Sequence, residues 1–230
     1  MLEKADVVPV PKVTPVCNPM KDLRPISLTS VLAKLLEKHP VQHLRESCPN
    51  VDPSQLGATR GSSTTHALLK ILQPIYKALN DSNNFARLLS IDFSKAFDHI
   101  YHEKDWVKIN GGVPQGTLRD PELFMHMVAD LQTEVHNVKF VDDTTFIEIL
   151  RKDAHSKMTS TVKSTLEWSS ENQLGINTFK TKEMIISFER EPDIDKLNMN
   201  GTEIERVSVT KLLGVVISEN LKWGLHVKYI

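Results

Sequence analysis

The sequence predicts an α+β domain with a mainly antiparallel sheet packed on helices. Three observations lead there. Segments of strand period and segments of helix period interleave along the chain without the strict repeat of parallel βαβ units. One stretch, "VKFVDDTTFIEIL", reads as two β-rich arms joined by a tight turn. The 230 residues are 40% hydrophobic and 25% charged, an ordinary globular composition with enough apolar mass for a sizeable core. No run approaches the roughly 20 apolar residues that span a bilayer. The N-terminus "MLEKADVVPVPK" lacks the apolar core of a secretory signal, so the expectation is an intracellular protein with no membrane partner.

The elements follow in order. "VVPVPKVTPVCNPMKDLRP" carries prolines at 9, 11, 15 and 19 before Pro25, which predicts an extended, irregular strap. "SLTSVLAKLLEKH" predicts a helix, with Ser30 as cap, Val31, Leu32, Leu35 and Leu36 on one face, and Pro40 as the interruption. Leu68, Leu72, Ile75 and Leu79 recur at helical spacing in a second helix that Pro74 should kink, and "LNDSNN" breaks the pattern. "FARLLSIDF" alternates, with Leu89, Ile91 and Phe93 on one face and Leu88, Ser90 and Asp92 on the other, so Asp92 falls near a strand end. "WVKING" is a short strand, "PELFMHMVADLQTEV" a helix, and the hairpin follows. Met158, Val162 and Leu166 predict a helix within Asp153 to Leu174 that Gly175 ends. "KEMIISF" and "KLLGVVIS" close the series as strands.

Cys17 and Cys48 offer neither a disulfide framework nor paired metal-ligand spacing, and read as buried small side chains. The net charge of −1 is unevenly spread: residues 1–89 carry +4 and residues 90–230 carry −5. That distribution permits a nucleic acid partner without demanding one. The adjacent carboxylates Asp142 and Asp143 read alone as a turn, since aspartate supplies local side-chain hydrogen bonds, or as ligands for a hard cation. Spacing does not choose between them, and fifty residues separate the pair from Asp92.

Six blocks decide the matter by their order: "RPISLTS" from Arg24, "LLSIDFSKAFDHI" from Leu88, "GVPQGTL" from Gly112, "FVDDTTF" from Phe140, "NTFKTKEMIISF" from Asn177 and "KLLGVVIS" from Lys211. Together they resemble the reverse transcriptase domain of non-LTR retrotransposons of the jockey-like kind, in a shortened and partly degenerate form. The resemblance implies a right-hand polymerase, with a fingers-like region at 1–87, a palm-like region at 88–190, and primer-grip-like strands with a truncated start of a thumb at 191–230. The thumb itself would be largely absent. It implies RNA-directed DNA synthesis from a dNTP onto a primer 3′-hydroxyl, with an RNA template and a DNA primer as partners. Asp92, Asp142 and Asp143, with the carbonyl of Phe93, would hold two Mg²⁺ ions, for which Mn²⁺ can substitute. Phe97 would form the wall beneath the incoming sugar, and Gln115 and Gly116 would lie near the nucleotide. Lys180, with Lys182 as the alternative, would face the leaving pyrophosphate. Leu213 and Gly214 would form the core of the primer grip, and Arg24 would meet the template or the finger scaffold.

The departures are equally specific. The second finger block reads "LGATRGSST", with Leu56 and Ala58 in place of aromatics, Thr59 at the arginine position and Arg60, the candidate nucleotide contact, displaced by one. Arg119, Asp120 and Glu122 replace an apolar run. Asp98 and Gly112 are 14 positions apart where the family has a long helical connection. The chain stops at "WGLHVKYI", about where a thumb should begin. These features support an alternative, a catalytically inactive transposon remnant that retains weak nucleic acid binding. Oligomeric state is not encoded in any of them.

Overall fold

A computed structural model describes residues 6–12, 14–18, 22–28, 30–47, 52–81, 83–93, 119–151, 154–189 and 192–230. In chain order the elements are β1 (Asp6–Pro11), β2 (Leu23–Leu28), α1 (Val31–Ser47), α2 (Thr64–Ala78), β3 (Asn84–Ile91), α3 (Arg119–Met127), β4 (His136–Phe140), β5 (Asp143–Arg151), α4 (Met158–Glu171), β6 (Lys182–Ile186), β7 (Asn198–Met199), β8 (Thr202–Glu203), β9 (Glu205–Arg206), β10 (Val209–Leu212), β11 (Val215–Ser218) and α5 (Gly224–Tyr229). They fall into two compact units, Met1–Val51 with Lys95–Val128, and Asp52–Ser94 with Ala129–Ile230. The class is α+β with a central, mainly antiparallel sheet, as the sequence predicts.

In the first unit the proline-rich opening is not an irregular strap. β1 and β2 pair antiparallel, with Pro9 opposite Pro25, because a two-stranded ribbon has only edges, where a missing N–H is tolerated. Cys17, expected to be buried, is exposed in the connection between them, where Asp22 Oδ2 accepts the N–H groups of Cys17 and Asn18 at 2.9 and 2.7 Å. Cys48 and "WVKING" lie outside the described residues. Ser30 caps α1 as expected, its Oγ accepting Ala33 N–H at 3.1 Å. The helix nevertheless continues through Pro40 to Ser47. Proline removes one bond, to the Leu36 carbonyl, and water reaches that exposed turn. Val31, Leu32, Leu35 and Leu36, which share one face, are exposed. α3 stops at Met127 rather than at Val135 because the chain turns there to enter β4. Glu122 is buried, with His126 3.9 Å away one helical turn on.

The second unit is built on a five-stranded sheet of order β4-β5-β3-β6-β9, antiparallel except where β9 runs beside β6. β3 is central and buried on both faces. α2, capped by Ser63, lays Ala67, Ile71, Leu72, Ile75 and Leu79 on the face formed by Ala86, Leu88, Val138, Ile147, Met184 and Ile186. Leu68 is only partly buried at the margin of that cluster. On the opposite face Phe85, Leu150 and Ile185 pack together, and Phe93 meets Trp168 of α4 edge-on at 6.1 Å between ring centroids.

That second face also contains an ion network in the middle of the sheet. Arg87 Nε donates to Glu183 Oε1 at 2.6 Å, Nη1 to Ser156 Oγ at 3.0 Å and Nη2 to the Asp195 carbonyl at 2.7 Å. Arg206 Nε donates to the second oxygen of Glu183 at 3.0 Å, and Ser156 Oγ donates to Glu148 at 2.6 Å. α4 spans Met158–Glu171, shorter than the interval predicted, and Gly175 does not end it. Gln173, at φ 53°, takes the left-handed position, with its N–H on Ser170 O and Leu174 N–H on Ser169 O. Those two bonds form a Schellman motif, which closes the helix before glycine is reached.

Candidate active site

The two strands of the β4–β5 hairpin pair up to Phe140 opposite Asp143, leaving Val141 and Asp142 as a two-residue turn. Val141 has φ 58°, so the turn has positive φ at its first central position, as in a type II′ hairpin. A β-branched residue there is strained. Asp143 opens β5, whose next residue, Thr144, faces Ile91 on β3. Asp92 is the next residue after Ile91, so the register sets it beside the aspartate pair at one end of the central strands. The fifty-residue gap in sequence is closed by a single strand pairing.

The charges respond to that proximity. The Asp143 carboxyl is pushed up from the ordinary aspartate value of 3.8 to about 6, first by loss of hydration and then by the negative charges of Asp142 and Asp92. A folded-state pKa above the unfolded one means that the folded chain holds a proton over the window from about 4 to 6 that the unfolded chain has released. Stability at this site therefore falls as pH rises through about 6. Comparing urea unfolding at pH 5 and pH 7, the wild type should lose more stability than Asp143→Asn over that step, and equal losses would refute the raised Asp143 carboxyl.

Asp92 is fixed from its backbone outward. Its carbonyl accepts Asn177 N–H at 2.8 Å, and its own N–H donates to Thr181 Oγ1 at 3.4 Å. Phe93, buried, bridges antiparallel to Ile176. The same 177–181 turn is closed by Asn177, whose Oδ1 accepts Lys180 N–H at 3.2 Å and whose carbonyl accepts both the N–H and the hydroxyl of Thr181 at 2.9 Å. Lys180 Nζ then lies 3.6 Å from Asp92 Oδ2. Lys182 turns elsewhere, donating to Glu205 at 2.5 Å and to the Phe179 carbonyl at 2.6 Å. Asn177 and Thr181 were not singled out by sequence reasoning. The signal was there in an Asn four residues before a Thr, the spacing of a side-chain-closed turn.

β10 and β11 form a hairpin with Leu212 opposite Val215, and its turn residues Leu213 and Gly214 have φ 46° and 89°. Positive φ at both positions is the type I′ pattern, which glycine adopts without steric cost. Leu213 lines a small cleft with Asp143, Ser90, Thr145 and Lys211, so this turn and the Asp143 carboxylate border one space. Arg60 is exposed in a loop ahead of α2. Phe97, Gln115 and Gly116 lie outside the described residues, as does the connection between Asp98 and Gly112; the Arg24 side chain is likewise outside them. Among the described residues, no group of three or more His, Cys, Asp or Glu side chains gathers into a cluster able to hold a metal ion, and no helix is long and apolar enough to cross a membrane.

Comparison with known proteins gives this sheet end its context. Residues 10–111 match the family described as reverse transcriptase (RNA-dependent DNA polymerase). The chain is 21% identical, over 89% of its length, to a probable RNA-directed DNA polymerase from transposon BS of Drosophila melanogaster, and 22% identical, again over 89%, to one from transposon X-element of the same organism. It spans 28% and 27% of those two relatives. Among solved structures, an apo telomerase from Candida tropicalis truncated from its C-terminal domain superposes with a TM-score of 0.54 at 13% identity, covering 95% of this chain and 54% of that one. A second apo telomerase structure from the same organism gives a TM-score of 0.51 at 12% identity, covering 95% and 48%. At such identity the structures speak for the fold alone, while the matched segment and the two transposon relatives show a similarity to reverse transcriptases at low identity.

Proposed function

We propose that this sheet end is the catalytic centre of an RNA-directed DNA polymerase domain of the retrotransposon kind, which extends a DNA primer from dNTPs on an RNA template. What carries the reading is the register that sets Ile91 opposite Thr144 and so sets Asp92 beside Asp142 and Asp143. The donor set suits Mg²⁺ or Mn²⁺ in chemistry: burial first, and then the charges of Asp142 and Asp92, push the Asp143 carboxyl up to about 6, and a divalent cation would offset that negative charge. Asp92, Asp142 and Asp143, with the Phe93 carbonyl, are the residues that would hold two such ions. Bound there, the ions would supply charge neutralisation for an attacking 3′-hydroxyl and a departing pyrophosphate. Lys180, held 3.6 Å from Asp92 by a closed turn, brings positive charge to the same space and suits a leaving pyrophosphate. Leu213, which lines the same cleft as Asp143, and Gly214 beside it in the turn suit a primer end. Phe97, Gln115, Gly116 and Arg60 are assigned to the nucleotide by their position in the sequence blocks.

One observation favours a second reading, a domain that has lost catalysis and retains weak nucleic acid binding. The three carboxylates do not themselves close into a ligand cluster among the described residues. Primer extension on an RNA template with Mg²⁺ or Mn²⁺, beside an Asp142→Ala control, separates the two. Extension by the wild type and none by the variant supports the polymerase. No extension by either leaves the second reading standing, and equal extension by both removes the carboxylates from the chemistry.

A further inference from the structure

The segment Asp52–Thr59 resembles a finger block in sequence, and its only candidate functional residue there was the neighbouring Arg60. Its packing gives it a different part. Leu56 N–H donates to the Lys139 carbonyl and Lys139 N–H to the Ser54 carbonyl, both at 2.8 Å, so residues 54–56 extend the free edge of β4. Lys139, wholly buried, secures the same segment through Asp52 Oδ2 at 2.7 Å and also donates to the Leu131 carbonyl at 2.9 Å. Burial pushes the Lys139 ammonium pKa down, and the bond to Asp52 opposes that shift.

At the end of this short pairing stands Gln55, 2% exposed. Its Oε1 accepts two N–H groups, Val141 at 2.9 Å and Gly57 at 2.8 Å, and its Nε2 donates to the Val141 carbonyl at 3.4 Å. One side-chain amide thus brackets both polar groups of the Val141 backbone. Gly57 closes the other side: a Cβ at that position would lie 2.3 Å from Val141 N and 2.6 Å from Val141 Cγ2, so only glycine permits the approach. Thr59 Oγ1 donates to the Gln55 and Gly57 carbonyls at 3.2 Å each and holds the loop on itself.

Val141 opens the turn that carries the chain into Asp142 and Asp143, and its φ of 58° is one that a β-branched residue avoids. Strain of that kind persists only where the surroundings over-determine it. We infer that Gln55 is a positioning residue for the carboxylate turn, with Gly57 as its companion: the side-chain amide locks Val141 in the left-handed conformation and thereby aims Asp142 and Asp143 at Asp92. The functional half of this inference rests on the polymerase reading, while the structural half does not. The two are separable by experiment.

Amide hydrogen exchange on the full chain, followed by NMR, reads the lock directly. In the wild type the Val141 N–H should exchange slowly. Gln55→Met keeps the shape and removes the acceptor, and should speed Val141 exchange by about tenfold or more, the order of one buried hydrogen bond. The Leu88 amide in the sheet centre should stay unchanged. Gln55→Glu keeps an oxygen for both N–H groups and should restore slow exchange at Val141. Unchanged Val141 exchange in Gln55→Met overturns the inference, and so does equal acceleration at Leu88, because Gln55 would then support the unit as a whole. If the wild type extends primers, Gln55→Met should lower kcat and leave the dNTP KM nearly unchanged. A KM effect alone counts against aiming. If the wild type extends none, the polymerase reading fails and the exchange result still decides the lock.

Discussion

Asp92→Asn should reduce primer extension by roughly a thousandfold or more without lowering the stability of the protein. The size follows from removing one charged ligand from a site whose task is to hold cations against a polyanionic reaction; about 4 kcal/mol of lost transition-state stabilisation is that factor. The stability half follows from electrostatics. Asp92 contributes to the repulsion that pushes Asp143 up to about 6, so asparagine relieves a like-charge contact. Asp92 also loses its ion pair with Lys180, but that lysine is 68% exposed and the pair is worth little. Asparagine keeps the backbone bonds to Asn177 and Thr181, which do not involve the carboxylate. The melting temperature should therefore hold or rise while extension disappears, the signature of a group retained for chemistry at the cost of stability. A variant that extends primers at the wild-type rate would remove Asp92 from the centre.

The arrangement around Asp92 marks the boundary of what the sequence could tell. β3, β4, β5 and β6 were legible because alternation is a local property, and the hairpin was legible because two aspartates interrupt two β-rich arms. Pro40 misled because a breaker's effect depends on whether water can replace the lost bond, a matter of exposure and not of residue type. Gly175 misled because Gln173 reached the left-handed position first. Gln55 was invisible for another reason: its partner Val141 is 86 residues away, and nothing in "PSQLGATRG" announces a bond to a distant main chain. Arg87 and Glu183 had the same problem, since Arg87 sits among apolar neighbours, Glu183 follows Lys182 at the start of its strand, and only the pairing of β3 with β6 brings them together.

That buried pair should produce the largest loss of stability in the chain. Arg87 and Glu183 have side-chain exposures of 2% and 0%, so neither charge is relieved by water. Breaking such a pair from one side costs about 3 to 5 kcal/mol, because the remaining charge is left uncompensated. The network makes the two sides unequal. When Arg87→Met removes the guanidinium, Glu183 keeps Arg206 at 3.0 Å, and Glu148 keeps the Ser156 hydroxyl and the Lys157 N–H at the start of α4. When Glu183→Leu removes the carboxylate, Arg87 is left buried with only neutral acceptors, the Ser156 hydroxyl and the Asp195 carbonyl. Glu183→Leu should thus sit near the upper end of that range and Arg87→Met near the lower. The double variant should cost clearly less than the two singles combined, since no buried charge of the pair then remains without its counter-ion. Urea denaturation of the four proteins measures each difference and the coupling between them. Additive losses would mean that the two side chains act independently, and an Arg87→Met variant less stable than Glu183→Leu would mean that Arg206 does not compensate the charge of Glu183.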